Sequence, residues 1–393
     1  MWYQENIMNF ISFSPHFPPN YYPFCTNLRK QGVNVLGLAD ASYSELRPEL
    51  KVALTEYYRV SNPHNYDELV RALGYFTHRY GKIDRLESHN EYWLESDARL
   101  RTDFNIPGFH MVDMAKVKRK SEMKKMFIKA SISVARGRVV NTLRQAKNLA
   151  EEIGFPLIAK PDIGVGANQT YKLHNYVELE KFVATKPPID YIFEEFIQGR
   201  VETFDGLVDQ SGKVVFFSSM VYNEGVMELV NEGLDFWYHT LRVIPVDLEE
   251  AGMRLVAVYG LRERFFHFEF FRTPDGRLVG LEVNMRTPGG LTTDMWNYAN
   301  DIDVYYEYAN IVVRNRFEAN VARPYYCAYI GRRLGKNYAH SHDEVLVNFK
   351  SSLVHNEPIS GIFAAAIGDY GYLVRSPDLE ELIKIARWVL QKA

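Results

Sequence analysis

The stretch His267-Phe268-Glu269-Phe270-Phe271-Arg272-Thr273-Pro274-Asp275-Gly276-Arg277-Leu278-Val279-Gly280-Leu281-Glu282-Val283-Asn284-Met285-Arg286 carries the densest chemistry in the chain. Thr-Pro-Asp-Gly is a turn signal between two alternating runs, so two strands are expected back to back. A two- or four-residue loop pairs Arg272 with Arg277 and sets His267 opposite Glu282 and Glu269 opposite Gly280. Alternation then leaves His267, Glu269, Glu282, Asn284 and Arg286 on one face. An odd-length loop would turn one strand over and break the set. Two carboxylates and an amide oxygen are hard ligands suited to Mg²⁺, which binds carboxylates together with phosphate oxygens. Arg286 beside them can balance phosphoryl charge. Standing alone, the same pattern also describes an exposed hairpin face with Glu/Arg pairing.

A second group lies upstream. Phe155-Pro156-Leu157-Ile158-Ala159-Lys160 reads as a strand ending in a lysine, followed by Pro161-Asp162-Ile163-Gly164-Val165-Gly166-Ala167-Asn168. A fixed point charge and a loop whose backbone N–H groups can be approached closely make a phosphate cradle. Alone, such glycines mark an ordinary turn. Between the two groups, Asp190-Tyr191-Ile192-Phe193-Glu194-Glu195-Phe196-Ile197 is an apolar strand with two carboxylates, and Glu202 follows; buried carboxylates are rare unless paired or functional. Arg254 and Arg262, before the hairpin, read either as acceptor-site residues or as exposed helix arginines.

The elements that must position these residues fall into three stretches. From Met8 to about Pro107, apolar runs (Asn9 to Phe13, Val33 to Leu38, Ile83 to Glu87) alternate with helical segments such as Tyr66 to Tyr80, the pattern of a small doubly wound α/β domain. From Met111 come a lysine-rich helix, a strand at Ile132 to Ala135, an amphipathic helix from Thr142 to Ile153, and an antiparallel sheet that includes the hairpin. From Phe317 the chain reads as a small α+β segment, with strand-like runs at Tyr325 to Ile330 and Gly361 to Ile367 and a closing amphipathic helix from Asp378 to Gln391. The fold class expected is therefore α/β and α+β.

The 393 residues, 47% of them hydrophobic, suffice for two or three packed domains. With 46 basic against 49 acidic residues the net charge is −3, without the basic excess of a general nucleic-acid binder. The two cysteines, Cys25 and Cys327, have no metal-ligand spacing and fit a reducing compartment. No signal-peptide pattern and no apolar run of about 18 residues occurs. A cytoplasmic protein without a membrane or nucleic-acid partner is expected.

Taken together, the lysine loop and the Glu-x-Asn-x-Arg hairpin resemble the ATP-grasp superfamily. The arrangement is similar to that in biotin carboxylase, carbamoyl phosphate synthetase and the carboxylate–amine ligases, with motifs spanning roughly Met111 to Val313. The resemblance implies an N-terminal domain at 1–110, an ATP-grasp domain at 111–315 with a lid at about 132–193, and a C-terminal segment at 316–393. It implies ATP and Mg²⁺ as cofactors, with Mn²⁺ as a substitute. Lys120 matches the first phosphate lysine, with Lys124 and Lys125 as nearby competitors, and Lys160 matches the second. Gly164, Gly166 and Ala167 match the glycine loop; Glu194, Glu195, Phe196 and Ile197 match the adenine hinge; Glu202 matches the ribose carboxylate. Glu269, Glu282 and Asn284 match the metal ligands and Arg286 the catalytic arginine at the acyl phosphate. Arg286-Thr287-Pro288-Gly289-Gly290 is similar to the Arg-x-x-Gly-Gly of ligases that activate a carboxylate for an amine. The loop lacks a long glycine run and no Met-Lys-Met carrier motif is present, which disfavours a self-contained biotin carboxylase. The implied substrates are a small carboxylate and an amine, the implied assembly a homodimer. The competing readings are a bicarbonate-using carboxylase or carbamoyl-phosphate-type enzyme, and a non-catalytic ATP-binding protein.

Overall fold

Five buried residues in a row, Asn9–Phe13, form strand β1 and are covered on both sides, as a central parallel strand requires. Around it the chain lays down helix α1 (Tyr22–Lys30), β2 (Asn34–Ala39), α2 (Pro48–Ala53), β3 (Glu56–Arg59), α3 (Tyr66–Tyr80), β4 (Arg85–Glu87) and α4 (Leu94–Asp103). The computed structural model describes residues 7–164, 169–223, 235–359 and 361–393. The first sheet is parallel in the order β3-β2-β1-β4, as the alternation predicts. Asn65 caps α3 by accepting from the Asp67 N–H, and Gly81 at φ +87° ends it.

Helices α5 (Met114–Lys118) and α6 (Lys120–Lys129) and strand β5 (Ser133–Val134) lead out of this unit. A second sheet, ordered β6-β9-β7-β8, is built from β6 (Gly137–Val139), β7 (Leu157–Pro161), β8 (Tyr171–Leu173) and β9 (Tyr191–Glu195). Helices α7 (Leu143–Ile153) and α8 (Tyr176–Thr185) complete it, sharing a core of Leu149, Leu157, Leu179 and Phe193. Strand β5 is not part of that sheet; it runs parallel to β15 (Leu278–Asn284) in the largest sheet.

Among the described residues the largest sheet has ten strands. Its remaining members are β10 (Arg200–Val208), β11 (Val214–Ser218), β12 (Met220–Tyr222), β13 (Phe236–Thr240), β14 (Arg264–Arg272), β16 (Tyr326–Arg332), β17 (Leu353–Pro358) and β18 (Tyr370–Ser376). They are ordered β17-β18-β16-β13-β12-β10-β14-β15-β5, with β11 paired to β10. Helices α9 (Val246–Tyr259), α10 (Thr292–Asn300), α11 (Val304–Arg314), α12 (His342–Asn348), α13 (Gly361–Ile367) and α14 (Leu379–Val389) pack around it. The strands of the C-terminal segment thus extend the same sheet that holds the hairpin.

Two expectations are corrected. Gly361 to Ile367, read as strand-like, is helix α13. Ala364-Ala365-Ala366 supplies the strongest helix formers, and Gly368 at φ +94° stops it. The hairpin register also differs. The loop has three residues, since Thr273 N–H donates to Arg277 O at 3.0 Å and Gly276 takes φ +85°. Arg272 therefore pairs Leu278 and Phe270 pairs Gly280. Beyond them a β-bulge leaves Leu281 without an opposite number, and Glu269 faces Glu282 while His267 faces Asn284. The odd loop turns one strand over, the bulge turns it back, and the five residues stay on one face.

Candidate active site

Glu269 and Glu282 stand directly across from each other, with His267 and Asn284 as the next facing pair. Like charges in that position repel, so the arrangement needs cations. Lys120, the first residue of α6, supplies one: its Nζ lies 3.0 Å from Glu282 Oε1 and donates to Gly164 O at 2.9 Å. Burial opposes the charge of Lys120, but Glu282 outweighs it and its pKa is raised. His267 supplies a second cation. Its Nδ1 is 2.6 Å from Asp205 Oδ1 and its Nε2 is 3.1 Å from Glu269 Oε1. Burial works against the imidazolium, yet the two carboxylates carry its pKa up to about 9. Burial likewise pushes Glu269 up, and His267, Arg286 and Lys120 together bring it below the ordinary range.

Arg286 completes this face. It donates from Nε to Glu91 Oε2 at 3.1 Å, from Nη2 to Asn284 Oδ1 at 3.3 Å and from Nη1 to Thr287 O at 2.8 Å. Glu91 comes from the N-terminal unit, just before α4. The Thr287 hydroxyl donates to Tyr21 Oη at 2.8 Å, so the segment after β15 is also held by that unit.

The opposite side is assembled from three segments. Glu194 on β9, 5% exposed, sits between Lys124 Nζ at 2.6 Å and Lys160 Nζ at 2.7 Å. Burial drives the Lys124 pKa down despite Glu194. Burial alone would raise Glu194, but Lys160 and Lys124 hold it low. Lys124 also donates to Ala135 O. Asp162, fully buried two residues past Lys160, accepts from Ser121 N–H at 2.8 Å, Ser121 Oγ at 3.0 Å and Arg119 Nη1 at 3.1 Å. Its backbone carbonyl takes the Lys120 N–H at 2.8 Å. One carboxylate thus registers the start of α6 against the end of β7.

Of the remaining expected residues, Glu195 pairs with Arg136 at 2.7 Å. Glu202 is fully buried between Arg200 at 2.6 Å and Arg272 at 3.1 Å. Phe196 and Ile197 line a cleft of about 380 Å³ with Glu195, Gln198 and the Thr273 to Arg277 turn. That cleft borders the hinge and does not include the facing carboxylates in its walls. Gly166 and Ala167 lie outside the described residues. Arg254 and Arg262 donate to the carbonyls of Ala130 and Gln210, so both serve the backbone. Among the described residues no group of three His, Cys, Asp or Glu side chains forms a metal site. Glu269, Glu282 and Asn284 offer two carboxylates and an amide oxygen, a donor set that fits Mg²⁺ completed by phosphate oxygens.

Sequence reasoning missed Asp205, Glu91 and Asp162. Asp205 had a signal, being the one acid inside the buried run Thr203 to Val208. Glu91 had none, because its partner is 195 residues away.

Among the described residues, three sheets with lysines from one part facing a carboxylate hairpin of another make up the arrangement of the ATP-grasp fold, and the chain has that fold. Its structural neighbours include carboxylate–amine ligases. An L-amino acid ligase from Bacillus licheniformis superposes with a TM-score of 0.75 at 16% identity, covering 97% of this chain and 96% of that one. The L-arginine-specific L-amino acid ligase of Bacillus subtilis is 23% identical over 245 residues, 58% of this chain and 59% of that protein. The carbamoyl phosphate synthase large chain of Clavibacter michiganensis subsp. michiganensis is 25% identical over 290 residues, 67% of this chain and 25% of that protein. The chain therefore spans a quarter to three-fifths of the length of these two curated relatives. No family model matches it. Among the described residues no helix is long and apolar enough to cross a membrane.

Proposed function

We propose that this protein is an ATP- and Mg²⁺-dependent ligase that converts a small-molecule carboxylate to an acyl phosphate, which an amine then attacks with release of phosphate. The observation that carries this reading is the facing of Glu269, Glu282 and Asn284, with Arg286 beside them, by Lys120, while Lys160 and Lys124 converge on Glu194. Glu269, Glu282 and Asn284 would hold Mg²⁺, which when bound neutralises charge between the β- and γ-phosphates.

The chain's own residues do the rest. Lys120 and Lys160 exchange their present carboxylates for phosphate oxygens of ATP, beside Gly164, whose carbonyl holds Lys120. Glu195 to Ile197 border the nucleotide base, and Glu202 would take the ribose hydroxyls only by giving up Arg200 and Arg272, which now hold both its oxygens. The substrate carboxylate oxygen attacks the γ-phosphorus, ADP leaves, and Arg286 neutralises the acyl phosphate. The amine then bonds to the acyl carbon, the C–O bond to phosphate breaks, and a proton leaves the nitrogen. Catalysis rests on positioning and charge neutralisation more than on a dedicated acid or base. The buried free thiols of Cys25 and Cys327 support a cytoplasmic setting.

The test is ADP release from ATP and Mg²⁺ across pooled amino acids, dipeptides, other carboxylates and bicarbonate, with mass spectrometry of the products. A condensed, amine-dependent product is expected. Turnover that depends on bicarbonate, or nucleotide binding without turnover in any pool, would overturn the proposal.

A further inference from the structure

A continuous chain of buried polar groups runs behind the metal-binding face. Asp205 on β10 is paired in register with His267 on β14, and Thr203 with Glu269. Asp205 is fully buried and His267 is 4% exposed. The second oxygen of Asp205 accepts from Thr203 Oγ1 at 2.5 Å, and that hydroxyl oxygen in turn accepts from Met220 N–H at 3.0 Å. The imidazole is thus braced from behind, and its far nitrogen reaches Glu269 Oε1 at 3.1 Å. With both ring nitrogens engaged by carboxylates, the ring has no lone pair to offer a substrate. What it can do is fix a rotamer. A carboxylate on a strand turns freely about its own side-chain torsions, and Glu269 faces the like charge of Glu282 across the ladder, so without a tether it would swing away.

Resting on the metal assignment above, we propose that His267, braced by Asp205, is a positioning residue that holds Glu269 by one oxygen and so presents the carboxylate to Mg²⁺. The relation is that of an outer group orienting a ligand, whose loss lowers metal affinity by about 10- to 100-fold.

The experiment measures Mn²⁺ binding by the EPR signal of free Mn²⁺, using the full chain with ADP. It compares wild type, His267→Asn, His267→Gln, Asp205→Asn and, as a control on the metal site, Glu282→Gln. ADP affinity in EDTA and the melting temperature are recorded for each. His267→Asn and Asp205→Asn are expected to weaken Mn²⁺ about tenfold or more while metal-free ADP affinity stays within about twofold. His267→Gln, whose amide can reach Glu269, is expected to recover most of the loss. If Glu282→Gln weakens Mn²⁺ but His267→Asn and Asp205→Asn bind it as wild type does, His267 is structural only and the inference fails while the metal site stands. If Glu282→Gln also binds Mn²⁺ normally, the metal assignment itself is wrong and the inference falls with it. Asp205→Asn is nearly isosteric and decides the matter should the His267 variants not fold.

Discussion

The hairpin β14-β15 and the lysine cluster face each other across the candidate active site, yet they are built in opposite ways. The hairpin brings its acids together through one local ladder between strands adjacent in the chain. The lysines meet only because α6, β7 and β9 converge, and a single acid, Glu194, joins two of them. One side holds surplus negative charge that a ligand cation would relieve. On the other side a carboxylate is the glue.

The largest effect expected from that contrast is on turnover. Glu282→Ala should cut kcat/KM by roughly 10³-fold, about 4 kcal/mol of transition-state stabilisation, measured by ADP release. Its melting temperature should fall less than that of Glu194→Gln, because Lys120 keeps Glu91 and Glu194 near it and still donates to Gly164 O. A large loss of stability in this variant would show that the hairpin acids are structural and break the comparison.

Glu194→Gln should behave in the reverse way. It leaves Lys124 and Lys160 buried without their counter-charge, and removing one member of a buried pair costs about 3 kcal/mol. Chemical denaturation should show that loss directly. The variant should still turn over once folded, with a raised KM for ATP as the lysines lose their alignment.

The two halves join at Gly280. A Cβ there would lie 2.4 Å from Phe127 Cδ1, and Phe127 sits on α6, the helix that carries Lys120 and Lys124. Gly280→Ala should cost about 1–3 kcal/mol through overpacking and raise the KM for ATP several-fold by displacing α6. An unchanged KM with lowered stability would mean that α6 and the hairpin move independently.

The same contrast explains what could be read from the chain. Glu269, Glu282, Asn284 and Arg286 were legible because strand alternation is local and has a period of two. Their register was not, since nothing in Gly280-Leu281-Glu282 announces that Leu281 is the bulged residue. The parallel sheet around β1 was legible from its buried apolar runs, whereas Gly361 to Ile367 was misread because a short apolar run has no period to distinguish helix from strand. Asp205, Asp162 and Glu91 act through partners fixed only by tertiary structure. In the sequence Lys124 reads only as a competitor for Lys120, and its tie to Glu194 depends on α6 lying against β9.

The smallest expected effect separates the two kinds of buried acid by pH. Asp294 takes hydrogen bonds from Asn20 Nδ2 at 2.7 Å and Tyr305 Oη at 3.0 Å, neutral donors that do not offset burial, and its pKa is pushed up to about 6. The folded state therefore holds that proton more tightly than the unfolded chain, and the contribution of Asp294 to stability falls as pH rises from about 4 to about 6. Glu194 has the opposite sign. Burial is outweighed there by Lys160 and Lys124, so its contribution is present above the unfolded carboxylate range and is lost as pH falls through it. Asp294→Asn should make the melting temperature rise more steeply, or fall less, between pH 4 and 6, and Glu194→Gln should flatten the acid limb. Matching slopes in the two variants would mean that the lysines do not offset burial at Glu194, and Glu194 would not be the acid that binds the lysine side together.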